Sequence, residues 1–225
     1  MKHVIVWYSP IVEGLPLETQ TLMKVQIDNS LDLGYKPDDI IFVTNFPYEY
    51  RGVKSLVVDN SAYCDFRPGS TKTTTINRLI KEGVIVPGEI YWAHDPDCYE
   101  INKITDEELD MDNFDIGFTT YGWSPKPCLG SYFFKHSAGD LFQLIRDKIY
   151  EIQNEDERAL VALLEANTNN IKNRITFLNI TYQIGMRHVD INFNLATKPL
   201  KALHFHPSKK GLMDKFRPLL PESFI

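Results

Sequence analysis

Apolar residues fall along the chain in short blocks separated by turn formers, and the spacing within each block predicts its element. His3 to Tyr8 is rich in β-branched and aromatic residues and predicts a buried strand, ended by Ser9-Pro10. From about Glu18 to Leu31, Leu22, Val25 and Ile27 recur among polar residues, a helix closing near Gly34. Ile40 to Thr44 and Val53 to Val58 predict two further strands, so the first sixty residues read strand, helix, strand, strand. That order looks like the opening of an α/β nucleotide-binding sheet. Ser70 and Thr71 to Thr75 lead into a short helix at Ile76–Ile80, the threonines reading as caps and Lys72 as a charge toward phosphate at the helix end. The glycine-rich Gly-Lys-Ser/Thr loop of a P-loop is absent.

A strand over Ile90–Ala93 runs into His94-Asp95-Pro96-Asp97. Residues 114–120 predict another strand, the Tyr121–Pro127 loop carries aromatics suited to a cleft, and 129–135 predict a strand in which Gly130 permits close approach. Leu141, Leu144, Ile145, Ile149 and Ile152 share one helical face. Asn154 opens a helix over 155–165 with acids in its first turn, where the helix dipole favours them. Asp106 to Asp112 reads as a solvated acidic patch. Beyond Asn170 the pattern weakens to short strands at 175–180 and 202–205, broken up by prolines.

Composition changes this picture little and charge changes it more. At 225 residues with 43% hydrophobic content the chain predicts one globular domain. Residues 1–165 hold 15 Lys/Arg and 27 Asp/Glu, giving −12, whereas 166–225 hold 9 and 3, giving +6. A basic C-terminal segment on an acidic body predicts an anionic ligand there, against a plain solvated surface as the alternative. Three scattered cysteines form neither a zinc pattern nor a disulfide framework and point to a reducing compartment. With no apolar run long enough to span a membrane, a cytoplasmic protein is expected, in the host cytoplasm if its source is viral.

The chemistry concentrates at Asp95 and Asp97. A break at a strand end can turn residues i and i+2 to one side, and proline holds that break, so both carboxylates could face one hard divalent cation. A solvated turn is the competing reading.

In order along the chain, these pieces resemble the GT-A class of nucleotide-sugar glycosyltransferases. Asp95-Pro96-Asp97 is similar to their DxD metal motif, and 114–134 to their paired strands beside the sugar. Asn154-Glu155-Asp156-Glu157 resembles the acidic motif near the reacting sugar. Leu203-His204-Phe205-His206-Pro207-Ser208-Lys209-Lys210-Gly211 resembles the late segment of glycogenin-like and lipopolysaccharide glycosyltransferases, without their Lys-Pro-Trp ending. The resemblance implies a single α/β GT-A-like domain over 1–225 with a Rossmann-like mixed sheet flanked by helices. Its nucleotide-binding half would lie over 1–100 and its acceptor and sugar half, with a metal- and diphosphate-binding C-terminal segment, over 101–225. It implies a hexosyl- or pentosyltransferase using Mn²⁺ or Mg²⁺ and a nucleotide diphosphate sugar, UDP-sugar foremost.

On the same resemblance Asp95, Asp97 and His204 would hold the metal, His204 otherwise being a packed strand histidine. Lys209 and Lys210, otherwise a solvated pair, would meet the diphosphate, and Asp156 and Glu157 would act at the sugar. From their position at the first strand's end, Tyr8 and Ser9 would hold the nucleoside, Tyr8 reading equally as a core aromatic. Lys72, at a helix start, would add charge toward phosphate. Asp156 reads equally as a plain helix-start acid. The acceptor stays open among a glycan, a protein, a lipid intermediate and a modified base in viral DNA. A nucleotidyltransferase is the alternative enzyme, although the loop over 8–14 has no Lys or Arg. A non-catalytic nucleotide-sugar or carbohydrate-binding protein is the alternative outside catalysis.

Overall fold

In the computed structural model, which describes residues 1–9 and 17–205, the chain opens with β1 (Lys2–Trp7) and α1 (Leu17–Asp32). Then come β2 (Ile40–Thr44), β3 (Glu49–Tyr50), β4 (Val53–Val57), α2 (Thr71–Lys81) and β5 (Ile90–His94). The second half adds β6 (Cys98–Glu100), β7 (Ile116–Thr120), β8 (Pro127–Lys135), α3 (Gly139–Ile152) and α4 (Asp156–Ala166). It ends with β9 (Ile175–Phe177), β10 (Ile184–Gly185), α5 (Val189–Leu195) and β11 (Ala202–His204).

Eight of these strands form one sheet in the order β3-β4-β2-β1-β5-β8-β7-β9. β4, β2, β1 and β5 run parallel, β8 is antiparallel to both β5 and β7, and β9 is parallel to β7. This is the mixed α/β sheet expected of the chain. Alternation along β1 sorts the core onto two faces. Ile5 packs with Met23 and Ile27 of α1, whereas Val4 and Val6 pack with residues of α2, α3 and α4. The chain crosses from β1 to β2 on one side and reaches β5 on the other, so the strand order reverses between β1 and β5. A crevice outside the carboxyl ends of strands at such a reversal is where open α/β sheets hold ligands. Trp7 and Tyr8 end one of these strands and Asp95 follows the other.

A smaller sheet, β10-β11-β6, sits at the same end. Its register sets His204 opposite Cys98 and Leu203 opposite Tyr99. Pairing with β6 brings residues from opposite ends of the second half into contact.

Two sequence expectations need correction, and some elements went unannounced. The threonine run does not cap a helix: α2 begins at Thr71 and Thr73 to Thr75 lie inside it. β-Branched residues are weak helix formers, and here each hydroxyl finds a tertiary partner instead. Thr73 donates to Asp156, Thr74 to the Ala62 carbonyl, and Thr75 to the Tyr8 hydroxyl. The strand expected over 175–180 stops at Phe177, because Ile180–Tyr182 turns as a short 3₁₀ helix whose start is held by the Asn179 side chain. Finally, β3, β10 and α5 lack the periodicity that would announce them.

Candidate metal and donor site

Asp95-Pro96-Asp97-Cys98 forms a tight turn in which the Cys98 amide donates to the Asp95 carbonyl at 3.0 Å, with proline at the position whose fixed φ suits it. The turn is tied down on three sides. The Asp95 amide donates to Gly130 of β8 at 2.8 Å, the Gln26 side chain of α1 donates to the Pro96 carbonyl at 2.9 Å, and the Phe205 amide donates to the Asp97 carbonyl at 2.8 Å.

His204 enters from β11. Its Nε2 lies 3.3 Å from Asp97 Oδ1 and 4.0 Å from Asp95 Oδ2. Ligands about 2.0–2.2 Å from one ion can stand no more than roughly 4.4 Å apart, so each separation is within reach of an ion on His204. The donor atoms that all lie within 4.8 Å of one another are those of Asp97, Cys98 and His204. The ring passes so close to β8 that a Cβ on residue 130 would overlap it. Gly130 therefore makes room for a side chain. Behind the ring, the buried Gln183 amide lies 3.0 Å from His204 Nδ1 and 2.6 Å from Cys128 Sγ, and it accepts from Thr119 at 2.7 Å. Burial disfavours a charged His204, but the Cys98 sulfur and the Asp97 carboxylate outweigh that and raise its pKa well above the ordinary value.

The second anchor of the site is Lys72. It is buried in α2, and its ammonium donates to Asp95 Oδ1 and to the Leu129 carbonyl, both at 2.6 Å. Burial works against that charge, yet Asp95 pushes the pKa upward. In this arrangement Lys72 neutralises a carboxylate and is not presented as a free phosphate ligand.

Two clefts meet at this pair. One, about 520 Å³, is lined by Trp7, Tyr8, Leu22, Tyr63 and the Asp95–Asp97 turn and is mainly apolar. The other, about 360 Å³, is polar and bounded by Arg67, Ser70, Tyr121, Gly130, Asp156 and Glu157. Pro68, Gly69, Lys72 and Asp95 belong to both walls. Tyr8 is largely buried, its ring stacked on Tyr63 at 6.2 Å between centroids. Ser9 is clamped through its backbone to the Asn45 side chain.

The two acids at the start of α4 differ in character. Asp156 is buried, accepting from Thr73 at 2.6 Å and from the Glu157 amide at 3.0 Å, and burial raises its pKa to about 6 despite Thr73 and Lys72. Glu157 is half-buried, and its Oε1 accepts from the Tyr121 hydroxyl at 2.5 Å and from the Leu129 amide at 3.2 Å. Burial raises its pKa as well.

Of the residues singled out in the sequence, Asp95, Asp97, His204, Lys72, Tyr8, Asp156 and Glu157 therefore converge on one region. Lys209 and Lys210 lie outside the described residues, as does His206. Sequence reasoning missed Cys98, Thr73 and Gln183 as site components. Cys98 adjoins Asp97 and was detectable by adjacency, whereas Gln183 carries no local signal. Among the described residues no helix is long and apolar enough to cross a membrane.

No protein-family model matches the chain, and no curated protein matches it in sequence. Solved structures do match in shape. One is a glycosyltransferase involved in glycosylation of the major capsid of PBCV-1, at TM-score 0.62 and 14% identity over 98% of this chain and 100% of that one. Another is the galactosyltransferase LgtC in complex with donor and acceptor sugar analogs, at TM-score 0.60 and 12% identity over 100% and 99%. A third is GlyE of Streptococcus pneumoniae, at TM-score 0.62 and 12% identity over 99% of this chain and 62% of that one. These likenesses establish the fold, which is that of the GT-A glycosyltransferases.

Proposed function

We propose that the protein is a metal-dependent glycosyltransferase that moves a sugar from a nucleotide diphosphate sugar to an acceptor hydroxyl. One observation carries this reading: Asp95, Asp97 and His204 converge where an apolar cleft meets an acid-lined one, at the strand-order reversal of a GT-A sheet. Two carboxylates and an imidazole are a donor set that fits Mn²⁺ better than Mg²⁺, which prefers oxygen donors alone. Such an ion, when bound, supplies positive charge against the diphosphate as it leaves.

The chain's own residues divide the remaining work. The apolar cleft takes the nucleoside, with the base against Tyr8 and Tyr63, and UDP is the leading nucleotide. Lys72 sits at the junction, where a donor diphosphate drawing Asp95 toward the ion would release its ammonium toward the phosphates. The sugar then lies in the polar cleft, facing Glu157. Both hydrogen bonds to Glu157 fall on Oε1, which fixes the carboxylate and leaves Oε2 with capacity for the reacting sugar or an acceptor hydroxyl. Asp156 braces this arrangement through Thr73 and is poised to ionise near pH 6. Asp156 is thus better placed to orient its neighbour than to meet an acceptor directly.

The test is a donor screen. Purified protein is incubated with UDP-, GDP- and CDP-sugars with and without Mn²⁺, and released nucleotide is measured. Slow Mn²⁺-dependent hydrolysis of one donor class, lost in Asp97→Asn, is the expected result. Donor binding with no turnover under any metal would favour the non-catalytic binding protein instead.

A further inference from the structure

Cys98 lies next to Asp97 in the chain and opposite His204 in the β6–β11 ladder. Directly paired residues of neighbouring strands project to the same face, so the thiol and the imidazole stand side by side by register. The ligand atoms of Asp97, Cys98 and His204 all lie within 4.8 Å of one another. The thiol itself points at the Gly130 carbonyl, 3.4 Å away, on the strand that the His204 ring also touches. Meanwhile Asp95, the remaining oxygen donor, is held by Lys72 at 2.6 Å. Lys72 holds Oδ1 of Asp95, so only Oδ2 is left to reach an ion, whereas a set built on Cys98 does not call on Asp95 at all.

We infer that Cys98 makes this centre a second kind of metal site, one that takes a borderline divalent ion such as Zn²⁺ or Co²⁺ through Asp97, Cys98 and His204 in the absence of nucleotide. This rests on the metal reading above and extends it. Coordination replaces the S–H bond of Cys98 and the N–H bond at the coordinating nitrogen of a protonated His204 by bonds to the metal, and both protons leave to solvent. Sulfur, nitrogen and oxygen donors on a small ion at about 2.0–2.3 Å suit Zn²⁺ geometry, and a fourth position stays open for water or phosphate oxygen. Thiolate favours Zn²⁺ and Co²⁺ over Mg²⁺ and Mn²⁺, and the general affinity order for first-row ions points the same way. The protein should then bind Zn²⁺ without donor, and Zn²⁺ should compete with Mn²⁺ for Asp97 and His204.

Co²⁺ titration of the full-length protein, followed by absorption spectroscopy, tests this directly. Expected is a near-ultraviolet thiolate-to-Co²⁺ charge-transfer band that saturates at one equivalent, is abolished by Zn²⁺, and is absent in Cys98→Ser. Cys128→Ser, which alters the other thiol near His204, should keep the band. Even outer-shell partners of a metal ligand are worth about 10–100-fold in affinity, so Cys98→Ser should weaken Zn²⁺ by at least about tenfold. An unchanged circular dichroism spectrum shows that the Cys98→Ser variant is folded. Stoichiometric Co²⁺ binding by the wild type without the sulfur band would overturn the role of Cys98 and leave the hard-metal reading standing. Absence of binding by Co²⁺, Zn²⁺ and Mn²⁺ alike, with or without nucleotide, would overturn both.

Discussion

Asp156 is the acid whose ionisation the fold resists most visibly, and replacing it with asparagine isolates that resistance. The carboxyl is buried, and its pKa stands near 6 in the folded protein against 3.8 as an ordinary aspartate. A raised pKa means the native state holds the proton more tightly than the unfolded chain does. The stabilising contribution is therefore complete below about pH 3.8 and is lost as the pH rises through about 6. A shift of a little over two pH units corresponds to about 3 kcal/mol. For a chain of this size that is about 6–12 °C in Tm. The replacement amide in Asp156→Asn cannot ionise. It can still accept from Thr73, but its NH₂ group would meet the Glu157 N–H donor to donor, at a roughly pH-independent cost of about 1–3 kcal/mol.

The informative quantity is thus the difference in Tm between wild type and Asp156→Asn, measured by calorimetry from pH 4 to pH 8 in matched ionic strength. All other titrating groups common to the two proteins cancel in that difference. The wild type should lose its relative advantage between pH 4 and pH 6.5 and hold a constant offset above that. A difference independent of pH throughout would refute the buried, ionisation-resistant environment assigned to Asp156, and with it the bracing role at α4.

Three further outcomes are expected. Asp97→Asn should abolish Mn²⁺-dependent nucleotide affinity in calorimetry with an unchanged circular dichroism spectrum, and retained affinity would remove Asp97 from the metal set. Gly130→Ala puts a methyl group into the His204 ring; overpacking of this kind costs about 1–3 kcal/mol, and Mn²⁺ affinity should fall with Tm, whereas wild-type values for both would show that the ring is not confined there. Tyr121→Phe removes the hydroxyl that holds Glu157 Oε1. A hydrogen bond to a charged group contributes about 1.5–3 kcal/mol, so turnover should drop by roughly one to two powers of ten with donor affinity intact. An equal loss in donor binding would place Tyr121 on the nucleotide side instead.

Much of the fold was legible in local pattern. The apolar runs at 40–44 and 53–57, the stripe over 141–152 and the strand ending at Asp95 carry their own periodicity, because each buries a face whose spacing is dictated by its own backbone. Asp95 and Asp97 could be picked out for the same reason, since a proline between two acids at a strand end is a local geometry. The threonine run misleads because local propensity sees a weak helix former, whereas the deciding partners, Asp156, Ala62 and Tyr8, are 12 to 83 residues away in sequence. The same distance hides Gln183, whose role exists only once Thr119, Cys128 and His204 surround it.

By itself, then, the sequence determined the class of sheet, the acids at the end of β5 and at the start of α4, and a histidine in a late apolar triplet. Tertiary structure alone decided that these meet. The strand-order reversal between β1 and β5 opens the crevice, and the β6–β11 register swings His204 to Asp97. The absence of a Cβ at Gly130 then lets the ring in. Tertiary structure also decided the states of the charged groups. A lysine that reads as a phosphate ligand is sealed onto Asp95, and an aspartate that reads as an ordinary helix-start acid titrates near 6. Charge and hydrogen-bond energies depend on what surrounds a group in three dimensions. Secondary structure depends mostly on what lies within a few residues along the chain.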